Sequence, residues 1–168
     1  MKLTDIFPVE KWIELEKDIS SNYRLNAGVF DKDGNKITQY VSWANRLCPV
    51  VKGNEKGRSF ICAVANQNMI GQAMQTKKPV SGECDAGLVK LVLPIFMDDE
   101  FLGIAGGCGR LLDTSEVDSF LVNKLTDIDQ KEIENLTGDI EKITQDEVVS
   151  VVAYVEKRIN DILSDYKK

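Results

Sequence analysis

Val89–Leu112, VKLVLPIFMDDEFLGIAGGCGRLL, decides how this chain folds. Two apolar runs flank Asp98-Asp99-Glu100, and a tight turn there joins Val89–Met97 to Phe101–Gly107 as an antiparallel hairpin. Side chains alternate along strands, so an even-numbered turn sorts them onto two faces. Val89, Leu91, Leu93 and Ile95 then lie with Leu102, Ile104 and Cys108, an aliphatic face expected in the core. Lys90, Val92, Pro94 and Phe96 lie with Phe101, Gly103, Ala105 and Gly107. A three-residue turn reverses this pairing. The second face carries a lane of small residues, and strand glycine marks a bulge or a close approach. Either a helix packs tightly on the lane, the more usual arrangement, or the lane leaves room for a small ligand.

Outward from the hairpin, the elements follow from period and punctuation. Trp12, Leu15 and Ile19 recur at helical spacing after Pro8. Residues 25–41, LNAGVFDKDGNKITQYV, suggest two short strands about the turn Asp31–Asn35. Its DKDGN run lacks the later acidic ligands of a calcium loop, so a plain turn is expected. Ser59 is positioned to cap a helix from about Phe60 to Lys77. Pro79–Glu83 is a short strand. Helices are expected from Ser115 (with Val117, Phe120, Leu121 and Leu125), from Asp129 (with Ile133 and Leu136), and from Thr144 to about Tyr166. The expected fold class is α+β, a single antiparallel sheet flanked by helices in the manner of PAS or GAF domains. Residues 1–168 form one domain, with 113–168 a helical C-terminal extension.

Totals narrow the function. The 168 residues carry a net charge of −6, which argues against direct binding to nucleic acid or anionic membrane. No apolar run approaches the roughly 18 residues of a membrane span, and MKLTDIFPVEKWIELEKD lacks a signal peptide's apolar segment, so a cytoplasmic protein is expected. Histidine is absent, which removes Cys-His and Ser-His-Asp catalysis. No phosphate-binding Gly-Lys motif occurs, and no catalytic set is complete, so an enzyme is not expected.

Four cysteines remain: Cys48, Cys62, Cys84 and Cys108. In a cytoplasmic chain they serve as thiols, ligands or redox groups more readily than as disulfides. Antiparallel pairing brings Cys84 and Cys108 to one end of the sheet. Cys62 falls in the first turn of the expected helix, where the dipole favours thiolate. Intervening gaps of 13, 21 and 23 residues match no standard zinc or ferredoxin spacing. Each cysteine is also satisfied as a small buried hydrophobe.

The run from about Trp43 to Gly109 resembles the PocR-type sensory domain. The resembling pieces are LCPVV with Cys48, SFICAVANQ with Cys62, ECDAGLVKLVLPIFMDDEFLG with Cys84, and GGCGRL with Cys108, flanked by GVFDKDGNKIT and SEVDSFLVNKLTDID. The resemblance implies a PAS-like domain that binds a small molecule, such as a short alcohol or hydrocarbon derivative, and controls an attached or separate regulator or kinase. GGCG resembles a branch of the family with a fourth cysteine. Two functions from different classes follow. In the first, Cys48, Cys62, Cys84 and Cys108 hold zinc or an iron–sulfur cluster, or form a redox-sensitive thiol set. In the second, an organic ligand lies between the sheet and the Phe60–Lys77 helix, against Trp43, Phe96, Phe101, Gly103 and Ala105. Val148, Val152, Val155, Ile159 and Ile162 form a heptad-like stripe that suits either a homodimer seam or the domain's own core.

Overall fold

The computed structural model describes residues 1–168. A one-turn helix, α1 (Leu3–Ile6), precedes α2 (Val9–Tyr23). Trp12, Leu15 and Ile19 are fully buried on one face of α2, as the spacing predicts. The Trp12 indole N–H donates to the Leu3 carbonyl at 3.1 Å, fastening α1 across the core.

Strands β1 (Asn26–Asp31), β2 (Val80–Glu83), β3 (Val89–Met97) and β4 (Glu100–Leu112) form an antiparallel sheet in the order β1-β4-β3-β2. A two-residue strand, β5 (Lys142–Ile143), runs parallel to the end of β4. Helices α1, α2 and α8 (Gln145–Tyr166) cover one face of the sheet. On the other face α5 (Ala63–Thr76) packs on β2 and β3, at the end of a helical run that opens with α3 (Leu47–Gly53), α4 (Glu55–Gly57) and the π-turn Arg58–Cys62. Behind these, α6 (Ser119–Thr126) and α7 (Gln130–Asn135) complete a second small core around Leu47, Val51, Ile61, Ala86, Val122 and Ile133. The chain is thus α+β with a PAS-like layout.

The hairpin forms about the expected turn, but its faces are exchanged along most of its length. Met97 pairs with Glu100 and Phe96 with Phe101, consistent with a two-residue turn. Ile95 then pairs with Gly103, so Leu102 is an extra residue in β4. This bulge shifts the register by one, and every later side chain changes face. Leu91, Leu93 and Ile95 therefore share the core face with Gly107, Ala105 and Gly103. Lys90, Val92 and Pro94 share the opposite face with Cys108, Gly106 and Ile104. The lane of small residues is filled by packing: a Cβ at Gly107 would lie 2.9 Å from Leu25 and 3.3 Å from Ile19. A second bulge skips Gly109, whose φ of +104° suits glycine.

Two other expectations are corrected. Residues 37–41 form no strand; only an isolated bridge, Phe30 to Lys36, follows the turn. Helical structure also begins well before Ser59. The Asn54 side chain accepts from the Gly57 N–H at 2.9 Å and caps a run that continues through the π-turn into α5. Cys62 consequently lies inside that run rather than in a first turn, and the helix-dipole argument for its thiolate is lost.

The C-terminal part begins its helix at Ser119 rather than Ser115, with Asp118 accepting from the Leu121 N–H at 3.0 Å. Thr144 and Glu147 form a reciprocal capping box at the start of α8. Val148, Val151, Val155 and Ile159 are buried against the domain's own sheet, with Val152 and Ile162 packed beside them. The stripe is therefore spent largely within the chain, while Val149, beside it on α8, is 60% exposed. No helix is long and apolar enough to cross a membrane.

Candidate functional site, a cavity lined by four thiols

The missing strand builds the wall of the site. The Glu16 carboxylate, fully buried on α2, accepts from the Val29 N–H at 2.9 Å and from the Thr38 hydroxyl at 2.6 Å. It thereby occupies β1's free edge, where a hairpin partner would bond. Lys36 stands 3.7 Å from the same carboxylate and donates to the Tyr40 carbonyl. Ser42 holds the next turn of chain, accepting from the Ala27 N–H and donating to the Leu25 carbonyl, both at 3.3 Å. Beyond one backbone bond, from the Ile37 N–H to the Val29 carbonyl at 3.0 Å, the segment from Lys36 to Trp43 is thus tied by side chains rather than by a continued ladder.

Between this segment, the sheet face bearing Lys90, Val92, Ile104 and Gly106, and the helical run from α3 to α5 lies a cavity of about 650 Å³. That volume is within the range of small-molecule sites. Its wall combines aliphatic groups, including Leu47, Val51, Ile61 and Val92, with a few polar ones. Among the latter, the Asn66 side-chain oxygen is buried with no hydrogen-bond partner, a costly state unless something donates to it. The π-turn forms part of the wall through Arg58, Ile61 and Cys62; such irregular turns are frequent at functional sites.

All four cysteines line this one cavity, brought there from α3, the π-turn, the β2–β3 turn and β4. Cys48 stands in the first turn of α3. None forms a disulfide. Burial pushes the Cys48 thiol up to about 12, with the Cys108 sulfur adding to the rise and hydrogen bonds from Asn45 and Asn26 opposing it. Burial also raises the Cys62 thiol, with Cys108 adding and Lys52 and Lys90 opposing. Cys84 is raised by burial, against hydrogen bonds from the backbone, with Cys108 again adding. Cys108 is thus the neighbour that the other three share. No group of three or more Cys, Asp or Glu side chains stands where it could hold a metal ion.

Two asparagines organise the sulfurs. The Asn45 amide donates to Cys48 Sγ at 3.3 Å and to the Gly109 carbonyl at 2.7 Å, while its oxygen accepts from the Cys48 N–H at 2.7 Å. The Asn26 amide donates to Cys108 Sγ at 3.7 Å. Spacing gave one signal for these: Asn45 sits three residues before Cys48, a capping offset. Nothing local pointed to Asn26, 82 residues from its sulfur partner.

Of the five residues expected against an organic ligand, Trp43 lines the cavity and is 46% exposed. Gly103 and Ala105 lie across the sheet, because the bulge at Leu102 turns them to the core. Phe96 and Phe101 pack with ring centres 5.3 Å apart and planes tilted by 57° at the hairpin end of the sheet, outside the cavity.

The β2–β3 turn connects the cavity to the C-terminal helices. Ser115 Oγ donates to Glu83 at 2.9 Å, and the Asp118 N–H donates to the Ala86 carbonyl at 3.0 Å. Gly87, at φ +91°, leaves no room for a Cβ beside the Glu116 carbonyl.

A family model described as "Sensory domain found in PocR" matches residues 5–166. No curated protein and no solved structure matches the chain.

Proposed function

The chain belongs to the family of sensory domains found in PocR, and from that premise we propose that the cavity is its sensing site and that a small organic molecule occupies it. The observation that carries this is the unpartnered Asn66 oxygen in a largely aliphatic cavity of about 650 Å³. Apolar walls supply affinity and a few fixed polar groups supply orientation. Short alcohols and hydrocarbon derivatives, implied by the family, suit such a wall. Occupancy is read out through the β2–β3 turn, whose hydrogen bonds to Ser115 and Asp118 lead directly into α6. The receiver is a separate regulator or kinase, or a second copy of the domain. Membership of a sensory-domain family supports binding rather than catalysis as the role.

A thermal-shift screen of small metabolites tests the proposal. A ligand at about 100 times its Kd stabilises by about 2.7 kcal/mol, which for a domain of this size is roughly 5–10 °C in Tm. The Asn66→Leu variant is expected to retain its own Tm within a few degrees and lose most of that shift. A stabilising ligand unaffected by Asn66→Leu, or a broad panel without any shift, would count against the assignment.

A second function is favoured by one specific arrangement: four sulfurs line one cavity, and amide N–H groups of Asn26 and Asn45 donate to two of them. We propose that under reducing, anaerobic conditions these thiols take up a thiophilic metal or an iron–sulfur cluster, and that a disulfide or peroxide oxidant instead takes two electrons and two protons from a pair of them. The donor chemistry fits, and N–H donors near sulfur suit such centres. The side chains would have to close on one point to do so. Anaerobically purified protein is then expected to hold stoichiometric metal, with sulfide if a cluster forms, and single Cys→Ser variants to lose it. Metal-free protein under those conditions excludes the metal arm.

A further inference from the structure

The cavity carries a charge pattern opposite to that of the chain. Of the 168 residues, 27 are acidic, yet none of the 34 that line the cavity is Asp or Glu. Four are cationic: Lys36, Lys52, Arg58 and Lys90. Lys36 is accounted for, since Glu16 and the Tyr40 carbonyl satisfy it. The other three have no carboxylate within 4.0 Å, although the protein forms eleven ion pairs besides that of Lys36 with Glu16.

Their placement gives this meaning. Lys90 is half-buried on the cavity face of β3, directly across from Cys108 in β4. A half-buried ammonium without a counter-ion is costly. Lys52, at the end of α3, and Arg58, opening the π-turn, are exposed at the rim. The fields of Lys52 and Lys90 meet at the Cys62 sulfur. A cavity with cations, no carboxylate, an aliphatic wall and one unpartnered acceptor describes its ligand by complement.

We propose that the ligand is an organic anion: an oxyanion head, carboxylate or phosphate monoester, meets Lys90, Lys52 and Arg58, an apolar body lies on the Leu47, Val51 and Ile61 wall, and a hydroxyl or amide N–H donates to Asn66. This rests on the ligand-sensing role above and narrows it from neutral alcohols to acids. Charge-assisted contacts from these three cations orient such a head, and the carboxylate-free wall rejects cationic metabolites.

The test is titration of the full, reduced, metal-free chain with matched probes: hexanoate against hexan-1-ol, lactate against propane-1,2-diol, and hexyl phosphate. Saturable binding is followed by calorimetry at two salt concentrations. At least one anion is expected to bind about ten-fold or more tightly than its neutral partner, with affinity falling as salt rises. Carboxylate against phosphate distinguishes the two heads. Lys90→Met is expected to lose about ten-fold in anion affinity and leave the alcohol unchanged, while Lys90→Arg retains the anion. If Lys90→Met fails to fold, Arg58→Gln and Lys52→Gln, both at exposed positions, carry the comparison. Alcohols that bind as tightly as their acids, or anion binding indifferent to all three substitutions, overturn this inference and leave the sensing role standing. Absence of saturable binding by every probe overturns it, and a hit from the metabolite screen that is neutral then identifies the sensing role as the survivor. A chain that carries stoichiometric metal on its thiolates and binds no carboxylate also overturns it, since the cations would then face the charge of that centre.

Discussion

Replacing Gly107 with valine is expected to destabilise the domain by about 2–3 kcal/mol, the usual cost of forcing extra methyl groups into a packed core. For a domain of this size that is a fall of roughly 5–12 °C in Tm. Valine's strand preference works the other way and is worth at most about 1 kcal/mol. The cost arises because Gly107 faces α2: even a bare Cβ there would stand 2.9 and 3.1 Å from two Leu25 carbons and 3.3 Å from Ile19. Leu25 and Ile19 are themselves at most 1% exposed, so neither can yield without moving the core. Cys108→Val is the control. Its side chain is on the cavity face beside Lys90 and has lost no more than a weak N–H···S bond from Asn26, so the expected cost is under about 1 kcal/mol. Without the bulge at Leu102 the two outcomes would exchange, with valine filling the cavity at 107 and disturbing the core at 108. Chemical denaturation of the two variants therefore measures the register of the hairpin. A Gly107→Val protein as stable as the parent would overturn the face assignment on which the site depends.

That register was the least legible part of the fold. Helices α2 and α8 were plain, since Trp12, Leu15 and Ile19, and Val148, Val155 and Ile159, repeat at helical steps and are buried. Caps were plain where the side chain is the signal, at Asp129 and Thr144. A one-residue bulge leaves no such mark in β4. Around it stand Gly103, Ala105, Gly106 and Gly107, residues small enough for either face, so alternation does not reveal where the phase changes. The second strand expected after Asn35 failed for a reason outside its own segment: the carboxylate that claims the Val29 N–H is on α2, 13 residues earlier. The π-turn likewise depends on how Ile61 and Cys62 pack against the β2–β3 turn and α6, not on local propensity. In the site, the cysteines were conspicuous by type, and all four line the cavity. Asn26, Asn66, Lys52 and Lys90 are ordinary polar residues in the sequence. What singles them out is a missing partner or a distant sulfur, properties that exist only after folding.

Removing the Glu16 side chain should have an effect of similar size, and its pH dependence should show why the residue is there. Glu16→Ala is expected to cost about 3 kcal/mol, because it orphans the Val29 N–H and the Thr38 hydroxyl and opens a void beneath the Lys36–Trp43 segment. Glu16→Gln keeps the volume and an acceptor oxygen, so its cost near neutral pH should stay within about 1 kcal/mol. The difference follows from the ionisation of the pair. Burial raises the Glu16 carboxyl above its ordinary 4.5, against the hydrogen bond from Thr38 and the charge of Lys36. Burial likewise lowers Lys36 below 10.5, against the attraction of Glu16. For the acid, the folded protein binds more protons than the unfolded chain between 4.5 and the raised folded value, so stability falls as pH climbs through that window and does not recover above it. For the base, the folded protein binds fewer protons just below 10.5, so that contribution rises with pH there. Both signs say that burying the charges costs more than their attraction returns; the pair's contribution is positional, holding the cavity wall on α2. Lowering the pH from neutral toward 4.5 should therefore stabilise the parent relative to Glu16→Gln, since only the parent has this carboxyl to protonate. The measurement is the difference in unfolding free energy between the two proteins at each pH, in which the remaining carboxylates largely cancel. A gap that moves in the parent's disfavour on acidification would mean that the ion pair is net stabilising, and that Glu16 is held by attraction to Lys36 rather than by the two donors of the wall.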